Sequence, residues 1–246
     1  MTKLFDFIKQ QPILGGVIGF QLFRFFLLPF MGLMPQDAYY YLYGENLSLS
    51  YFDHPGMIGY QLRFFSELFG HSVYVIKLSD FVITSLTLVS FYRLSLKFLS
   101  SKRAQIALLL LSSTLFISIL SFNSTPDVPL LLFWTLTILF LYKAIFERKN
   151  MYWLIAGITM GLAFNSKYTA LLLQFGLVAF VLFSNKYRPL LRSPWLWTTL
   201  IISVLVTFPV FYWNYQNDFA SFAFQSTNRT GSISKFNFSL KYFLGA

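Results

Sequence analysis

The chain contains no cysteine and only two histidines, His54 and His71, among its 246 residues. Without cysteine the protein has no disulfide, no thiolate metal site and no cysteine nucleophile. His54 and His71 are 17 positions apart, so they form no HExxH motif, and two histidines are too few for a three-histidine zinc cluster. The sequence therefore predicts no metal site and indicates no cofactor, although its carboxylates leave a divalent metal open.

Charge is also scarce, because only 11% of the residues are Asp, Glu, Lys or Arg, whereas soluble domains average roughly 25%. Hydrophobic residues make up 56% of the chain and aromatic residues 21%. Such a composition leaves too little polar surface for a water-soluble fold, whereas a lipid-facing protein needs no such covering. The composition predicts an integral membrane protein.

The net charge of +10 raises the alternative of a nucleic-acid-binding protein. The Lys and Arg residues, however, occur in short clusters between apolar runs, which is the spacing that the positive-inside bias produces. No contiguous basic face or nucleic-acid motif accompanies them. Membrane lipids, and not nucleic acid, are therefore the expected partners of the basic residues.

Apolar windows of about 19 residues predict an all-α membrane protein of about seven transmembrane helices. The predicted spans are 12–33, 73–98, 105–121, 128–146, 151–165, 168–184 and 194–212. The fifth and sixth are short, so a tilted pair or one re-entrant element remains open there. No repeat or linker divides the chain, and residues 1–246 are predicted to form one transmembrane domain.

The basic clusters alternate with acidic connections along the chain, which predicts a cytoplasmic N-terminus. The outer face then receives the segments 34–72, 122–127, 165–167 and 213–240, which hold six of the nine acidic residues. The first of these segments is long, and long loops tend to be functional. Its stretch 57–69 has the pattern of an amphipathic helix lying at the membrane surface.

Four charged residues at or near the outer face are candidates for chemistry. Asp37 follows Pro35 directly after the first span, where it can act as a general base or cap a short helix. Asp127 stands at the mouth of the fourth span, as a second carboxylate of a site or as a turn residue. Lys167 and Arg229 can bind a lipid-borne phosphate or meet lipid headgroups.

Further polar residues accompany these candidates. Asp53 and His54 form a polar pair between aromatic residues and a Pro-Gly turn, and such a pair often only builds a turn. Trp213–Phe222 mixes aromatic rings with amides, a combination that suits sugars but also an interfacial belt. Arg24, inside the first span, is expected to pair with an acid or a carbonyl within the helix bundle.

Four segments in order, "QDAYYYLYGENLSLSYFDHPGMIGY", "TPDVPLLLFW", "GLAFNSKYTALLL" and "FPVFYWNYQNDFASFAFQ", resemble bacterial membrane glycosyltransferases. These enzymes are related to protein O-mannosyltransferases and the lipid A aminoarabinose transferase, and have the GT-C fold. In that family an Asp-Glu pair follows the first span. Gln36 stands here at the first acidic position and Asp37 at the second, and Gly56 replaces the second proline of "YFDHPP".

The resemblance implies an inverting transfer of a hexosyl or pentosyl group from a polyprenyl-phosphate donor to a hydroxyl acceptor. Asp37 would be the base, Asp127 a second acid, and Lys167 and Arg229 ligands of the donor phosphate. Tyr40, Asp53 and His54 match the first-loop motif of the family. The implied location is the bacterial inner membrane, with the site on the periplasmic side.

Relatives of this kind are usually much longer, so the chain is expected to correspond to their N-terminal part. Whether it is active by itself is left open. Two other functions compete with the enzyme: a transporter or lipid flippase, whose charges would line a path through several helices, and a truncated, non-catalytic membrane subunit.

Overall fold

The computed structural model describes residues 11–228, and this part of the chain is helical. Eleven α-helices follow one another: α1 Pro12–Leu27, α2 Pro35–Glu45, α3 Met57–Phe69, α4 Val73–Ser95, α5 Ser101–Ser112, α6 Leu115–Leu120, α7 Asp127–Ile145, α8 Met151–Ser166, α9 Leu171–Phe183, α10 Pro194–Gln216 and α11 Ala220–Ala223. Short 3-10 turns lie at 28–30, 168–170 and 188–192, and a π-turn at 224–228. Within 11–228 the extended pairing is limited to one bridge between Ser50 and Pro55.

Four segments are long and apolar enough to cross a membrane: Pro12–Phe30, Val73–Ser95, Asp127–Ile145 and Pro194–Gln216. Each has 19 or 23 residues, and a helix needs about 20 residues to cross a hydrocarbon core of about 30 Å. The prediction of an all-helical integral membrane protein is confirmed in the described part. The count of seven spans stays a prediction, because the remaining predicted spans form shorter helices.

The continuous span predicted over 105–121 is instead two helices, α5 and α6. The helix breaks where three hydroxyl residues follow one another, and their side chains bond back to backbone carbonyls of the preceding turn. Such local bonds compete with the helix. Arg24 of α1 donates to the carbonyl of Ser112 at 2.7 Å and to the hydroxyl of Ser118 at 2.6 Å, so its expected carbonyl partner lies at this break.

The core lies where α8 packs between α7 and α10. Gly157 and Gly161 face α10, and a Cβ at Gly161 would lie 2.5 Å from the Cβ of Val206. The absence of side chains at these two positions lets the helix axes approach closely. Toward the N-terminus, α4 packs on α7, and α3 packs between α2 and α4.

The amphipathic helix predicted over 57–69 is present as α3. Its buried face includes Ile58, Leu62 and Phe65, whereas Phe64 and Phe69 are exposed. The buried face packs on α2 and α4, so α3 closes one end of the helix bundle. Its contact with a membrane surface stays a prediction.

The connections between helices gather at two opposite ends of the bundle. The basic end consists of the loops 96–100, 146–150 and 184–193, joined by the Lys97–Glu147 ion pair and by the packing of Phe146 on Tyr187. The motif end contains residues 34–56, 121–127 and 165–168, joined by the contacts described below. The alternation of basic and acidic connections in the sequence thus corresponds to the two ends of the structure.

Candidate active site

Asp37 lies in the first turn of α2, which begins at Pro35, and its side chain is fully buried. The carboxylate accepts hydrogen bonds from the backbone of Met34 at 2.7 Å and of Ser124 at 2.9 Å. It also forms an ion pair with Lys77 of α4, which is likewise fully buried. Asp37 therefore ties the start of α2 to α4 and to the loop 121–126.

Lys77 is the centre of a buried polar network that includes a second carboxylate. Its ammonium also donates to the carbonyl of Phe122 at 2.6 Å. Asp80, one helical turn further on α4, accepts from the hydroxyl of Ser124 at 2.6 Å and from Gln61 of α3 at 3.2 Å. Ser124 thus links the carboxylate of Asp80 to that of Asp37, the ion-pair partner of Lys77, and all three charged side chains are shielded from solvent.

No role was predicted from the sequence for Lys77 or Asp80. They lie inside the predicted span 73–98, and Arg24 alone was noticed as a charge within a span. The available signal was the presence of two ionisable residues of opposite sign, three positions apart, in an otherwise apolar segment. Such residues need partners inside the protein, and here the partners come from α2, α3 and the loop before α7.

Asp127 and Lys167 form a second ion pair at the motif end. Asp127 is the first residue of α7, and Lys167 follows α8 in extended conformation. The ammonium donates to both carboxylate oxygens, at 2.9 and 2.8 Å. Their side chains are 30% and 25% exposed, so molecules from outside can reach this pair, in contrast to the pair of Asp37 and Lys77.

The two ion pairs are linked by one short loop. The backbone N–H of Ser124 binds Asp37, and Asp127 stands three positions later in the chain. Three peptide units span at most about 11 Å between Cα atoms. The structure therefore brings the surroundings of Asp37, Asp127 and Lys167 together at one end of the bundle.

The first-loop motif lies at the same end, within an aromatic cluster. Tyr40 and His54 are buried with ring centroids 6.3 Å apart, and Tyr43 stacks on Tyr51 at 3.6 Å. The hydroxyl of Tyr43 donates to the Asp53 carboxylate, and Gln225 donates to the Asp53 carbonyl. The motif end thus includes the segment after α10 as well as the first loop.

Tyr43 is a further residue that the sequence reasoning did not single out. Burial, and after it the hydrogen bond to Asp53, raises the pKa of Tyr43 above its ordinary value. The phenol therefore stays protonated at physiological pH and acts as a hydrogen-bond donor. Its donor role fixes the orientation of the Asp53 carboxylate.

Two further expectations concern metal and phosphate. Among residues 11–228, no three His, Cys, Asp or Glu side chains are placed to hold a metal ion together. Arg229 lies outside the described residues, so its role as a phosphate ligand stays a prediction. Of the two basic residues predicted to bind the phosphate, Lys167 lies in the described part of the chain. Asp127 holds the ammonium of Lys167 in place.

Comparison with known proteins gives one family and one curated relative. Residues 53–213 match the model of the dolichyl-phosphate-mannose-protein mannosyltransferase family. The lipid A galacturonosyltransferase RgtD of Rhizobium johnstonii is 27% identical over 213 residues, which cover 82% of the chain and 43% of the relative. The chain thus spans less than half of that relative's length. No solved structure matches the chain significantly.

The family match includes Asp53, Asp127 and Lys167 and begins after Asp37. The comparison agrees with the resemblance of the four sequence segments, since RgtD is a glycosyltransferase by name. The matched segment covers more than half of the chain. By this sequence match, the chain belongs to the dolichyl-phosphate-mannose-protein mannosyltransferase family.

Proposed function

We propose that the chain carries the transfer site of an inverting glycosyltransferase, which moves a sugar from a polyprenyl-phosphate donor to a hydroxyl acceptor. The proposal places the motif end at the outer face of a bacterial inner membrane, with residues 1–246 as one transmembrane domain and a cytoplasmic N-terminus. Family membership and the name of the galacturonosyltransferase relative support it. The observation that carries it is the partly exposed pair of Asp127 and Lys167.

In the proposed reaction, a carboxylate takes the proton of the acceptor hydroxyl while the oxygen attacks the anomeric carbon from the face opposite the phosphate. The bond from that carbon to the phosphate oxygen breaks, and polyprenyl phosphate leaves with the electron pair. A cation near the departing oxygen stabilises its charge. Lys167 suits that role, since its ammonium can exchange one Asp127 oxygen for a phosphate oxygen.

The two carboxylates predicted as catalytic receive different roles in this proposal. Asp127 is proposed as the base, because its side chain is partly exposed and becomes free when Lys167 turns to phosphate. Asp37 accepts from two backbone N–H groups and pairs with buried Lys77, so it could take a proton only after leaving Lys77. It is proposed as the positioning residue that holds the loop bearing Asp127.

The test is transfer from a polyprenyl-phosphate sugar by membranes that contain the full-length product. Asp127→Asn is expected to lower kcat by about 100-fold or more, the contribution of a general base. Lys167→Met is expected to lower kcat as well, through loss of the phosphate contact. Lys102→Met, at the basic end, is the control and leaves the rate unchanged. Equal rates for Asp127→Asn and wild type would contradict the assignment of the base.

The same assay tests the role of Asp37. If Asp37 is a positioning residue, the substitution Asp37→Asn lowers the melting temperature and the transfer rate together. The shape of the pH–rate profile is then unchanged. Loss of the acidic limb of the pH–rate profile, with unchanged stability, would return the role of base to Asp37. Both readouts are needed, because a drop in rate alone does not separate the two roles.

A non-catalytic subunit is the second candidate function, and one observation favours it. Gln36 stands where the family resemblance places an acid, and its amide oxygen accepts a hydrogen bond from Asn123 at 2.5 Å. An amide cannot serve as a base at that position. Absence of transfer by the wild-type protein with a range of lipid-linked sugars would support this function over the enzyme.

A further inference from the structure

The basic end contains a cavity that the proposed transfer reaction does not use. It has a volume of about 400 Å³ and lies between the loops 146–150 and 184–193. Arg148 and Lys186 line it together with Asn150, Ser193 and two tryptophans, Trp153 and Trp195, and its lining contains no carboxylate. A cavity with two cations, small polar groups and aromatic walls has the chemistry of an anion site.

Among the residues that the structure describes, no carboxylate neutralises the cations of this cavity. Glu147 is the one acidic residue in the three loops of the basic end, and its two oxygens bind Lys97 at 2.6 Å and Lys149 at 2.9 Å. Within residues 11–228, neither Arg148 nor Lys186 forms an ion pair. Arg148 also has a φ of 53°, a backbone conformation that is uncommon for a residue with a side chain.

An apolar groove adjoins the cavity. It has a volume of about 320 Å³ and lies between α7 and α9, where Ile138, Leu172 and Gly176 are among its lining residues. Ile145 lines both the groove and the cationic cavity. The two spaces also meet at a ring contact, since Phe180 of the groove stacks on Tyr187 of the cavity with centroids 5.3 Å apart.

From this juxtaposition we infer that the basic end binds an anionic membrane phospholipid, with its phosphate between Arg148 and Lys186 and an acyl chain in the groove between α7 and α9. The site is distinct from the motif end, which lies at the opposite end of the bundle. A free phosphate would use the cavity alone, whereas a lipid uses the groove as well. Occupation of the groove therefore distinguishes a bound phospholipid from a bound free phosphate, since both place a phosphate in the cavity.

The experiment titrates the full chain, purified in detergent, with phosphatidylglycerol and with phosphatidylcholine, and counts bound lipids by native mass spectrometry. Wild type is expected to bind phosphatidylglycerol more tightly. The double variant Arg148→Gln with Lys186→Gln is expected to bind phosphatidylglycerol at least about tenfold more weakly, in keeping with the loss of two cations at a lipid surface. Its affinity for phosphatidylcholine is expected to stay the same.

Two control variants make the result specific. Lys102→Gln with Arg103→Gln removes two exposed cations of the same end that do not line the cavity, and it is expected to keep the preference for phosphatidylglycerol. Gly176→Leu places a side chain in the groove, and its first atom has room, since a Cβ at Gly176 meets no atom within 4 Å. This variant is expected to weaken binding of phosphatidylglycerol and to leave binding of inorganic phosphate unchanged.

Three outcomes would overturn the inference. An unchanged lipid preference in the Arg148 and Lys186 variant would remove the cavity as the headgroup site. An equal loss in the Lys102 and Arg103 variant would reduce the effect to the general charge of the basic end. Binding of inorganic phosphate that displaces the lipid, with no effect of Gly176→Leu, would make the cavity a free phosphate site. Equal melting temperatures of the variants and wild type exclude misfolding as the cause.

Discussion

At the scale of single residues, Lys77 has the most demanding role in the described part of the chain. It is fully buried, forms an ion pair with the buried Asp37, and lies three positions before the buried Asp80 on the same helix. Charges in a low-dielectric interior are stabilised only by well-placed partners of opposite charge and by hydrogen bonds. The network therefore holds α2, α4 and the loop before α7 in one arrangement, because none of its members can lose a partner without a large penalty.

Replacing Lys77 by Met is expected to destabilise the protein by about 3–5 kcal/mol, because the buried carboxylate of Asp37 loses its cation. The melting temperature in detergent measures this change. Adding Asp37→Asn to Lys77→Met is expected to recover part of the loss, since it removes the stranded charge. Lys102→Met, an exposed control, is expected to melt with wild type. A single variant as stable as wild type would contradict the role of Lys77.

The site residues show what the sequence could predict at this scale. Asp37, Asp127 and Lys167 were chosen from their position beside predicted spans, and the structure places them around one loop. Their partners were not predictable in the same way. Lys77 pairs with Asp37 across 40 positions in the sequence, and such a contact depends on how each helix is rotated about its axis, which hydropathy does not specify.

At the scale of elements, the contact between α8 and α10 depends on two glycines. A Cβ at Gly161 would lie 2.5 Å from the Cβ of Val206, and a Cβ at Gly157 would lie 2.7 Å from the carbonyl oxygen of Thr199. Both distances are shorter than atoms tolerate, and the obstacles are branched side-chain or backbone atoms that cannot turn away. A methyl group at either position therefore forces the two helices apart.

Gly161→Ala is expected to destabilise the protein by about 1–3 kcal/mol, the usual range for overpacking a core. Gly176→Ala is the matched control, because the same methyl group at Gly176 meets open space, and it is expected to cause no loss of stability. Thermal unfolding of both variants in the same detergent provides the comparison. An equal effect of the two substitutions would show that helix contact is not the reason for the change at Gly161.

Most helix boundaries could be predicted from the sequence, and the exception is the break between α5 and α6. The helix predicted over 57–69 begins and ends at those residues, and four predicted spans correspond to long apolar helices. The break between α5 and α6 was missed, because hydropathy averages over a window and does not register hydroxyl groups that bond back to the helix. Arg24 of α1 binds the carbonyl of Ser112 at this break.

At the scale of the whole molecule, the buried charges inside the described spans lie toward the motif end. Arg93 and Lys143, in the last turns of α4 and α7, lie at the basic end and are not buried. Lys77 and Asp80 are within the first eight residues of α4, whose start belongs to that end. Arg24 lies in the last turn of α1, near the connection to α2. A transport path would instead require charges in both halves of the membrane. The distribution is therefore that of a site at one face, which agrees with a transferase better than with a transporter.

The basic end is held by a cluster that responds to pH. Hydrogen bonds from Lys97 and then from Lys149 lower the pKa of Glu147 from 4.5 to about 2. Because the pKa is lower in the folded protein, the contribution of Glu147 to stability is complete above about pH 4.5 and is lost as the pH falls toward 2. The cluster joins the loop after α4 to the loop after α7, so its loss loosens the basic end.

Glu147→Gln is expected to lower the melting temperature at pH 7, and the difference from wild type is expected to shrink as the pH falls from 4.5 toward 2. Melting curves of both proteins across this range measure it, and added salt should reduce the difference at pH 7 because the cluster is solvent-accessible. Glu67→Gln, in an exposed pair on α3, serves as the control. A difference that grows with acidity would contradict this assignment.

The sequence by itself determined that this is a helical membrane protein with chemically different ends, because apolar length and charge alternation along the chain fix which segments can lie in lipid. It also carried the family, through motifs that are contiguous in the chain. Only the tertiary structure decided which charges meet. Asp37 with Lys77, Asp127 with Lys167, and the cavity of Arg148 and Lys186 arise from helix rotation and packing, which depend on contacts between segments distant in the sequence.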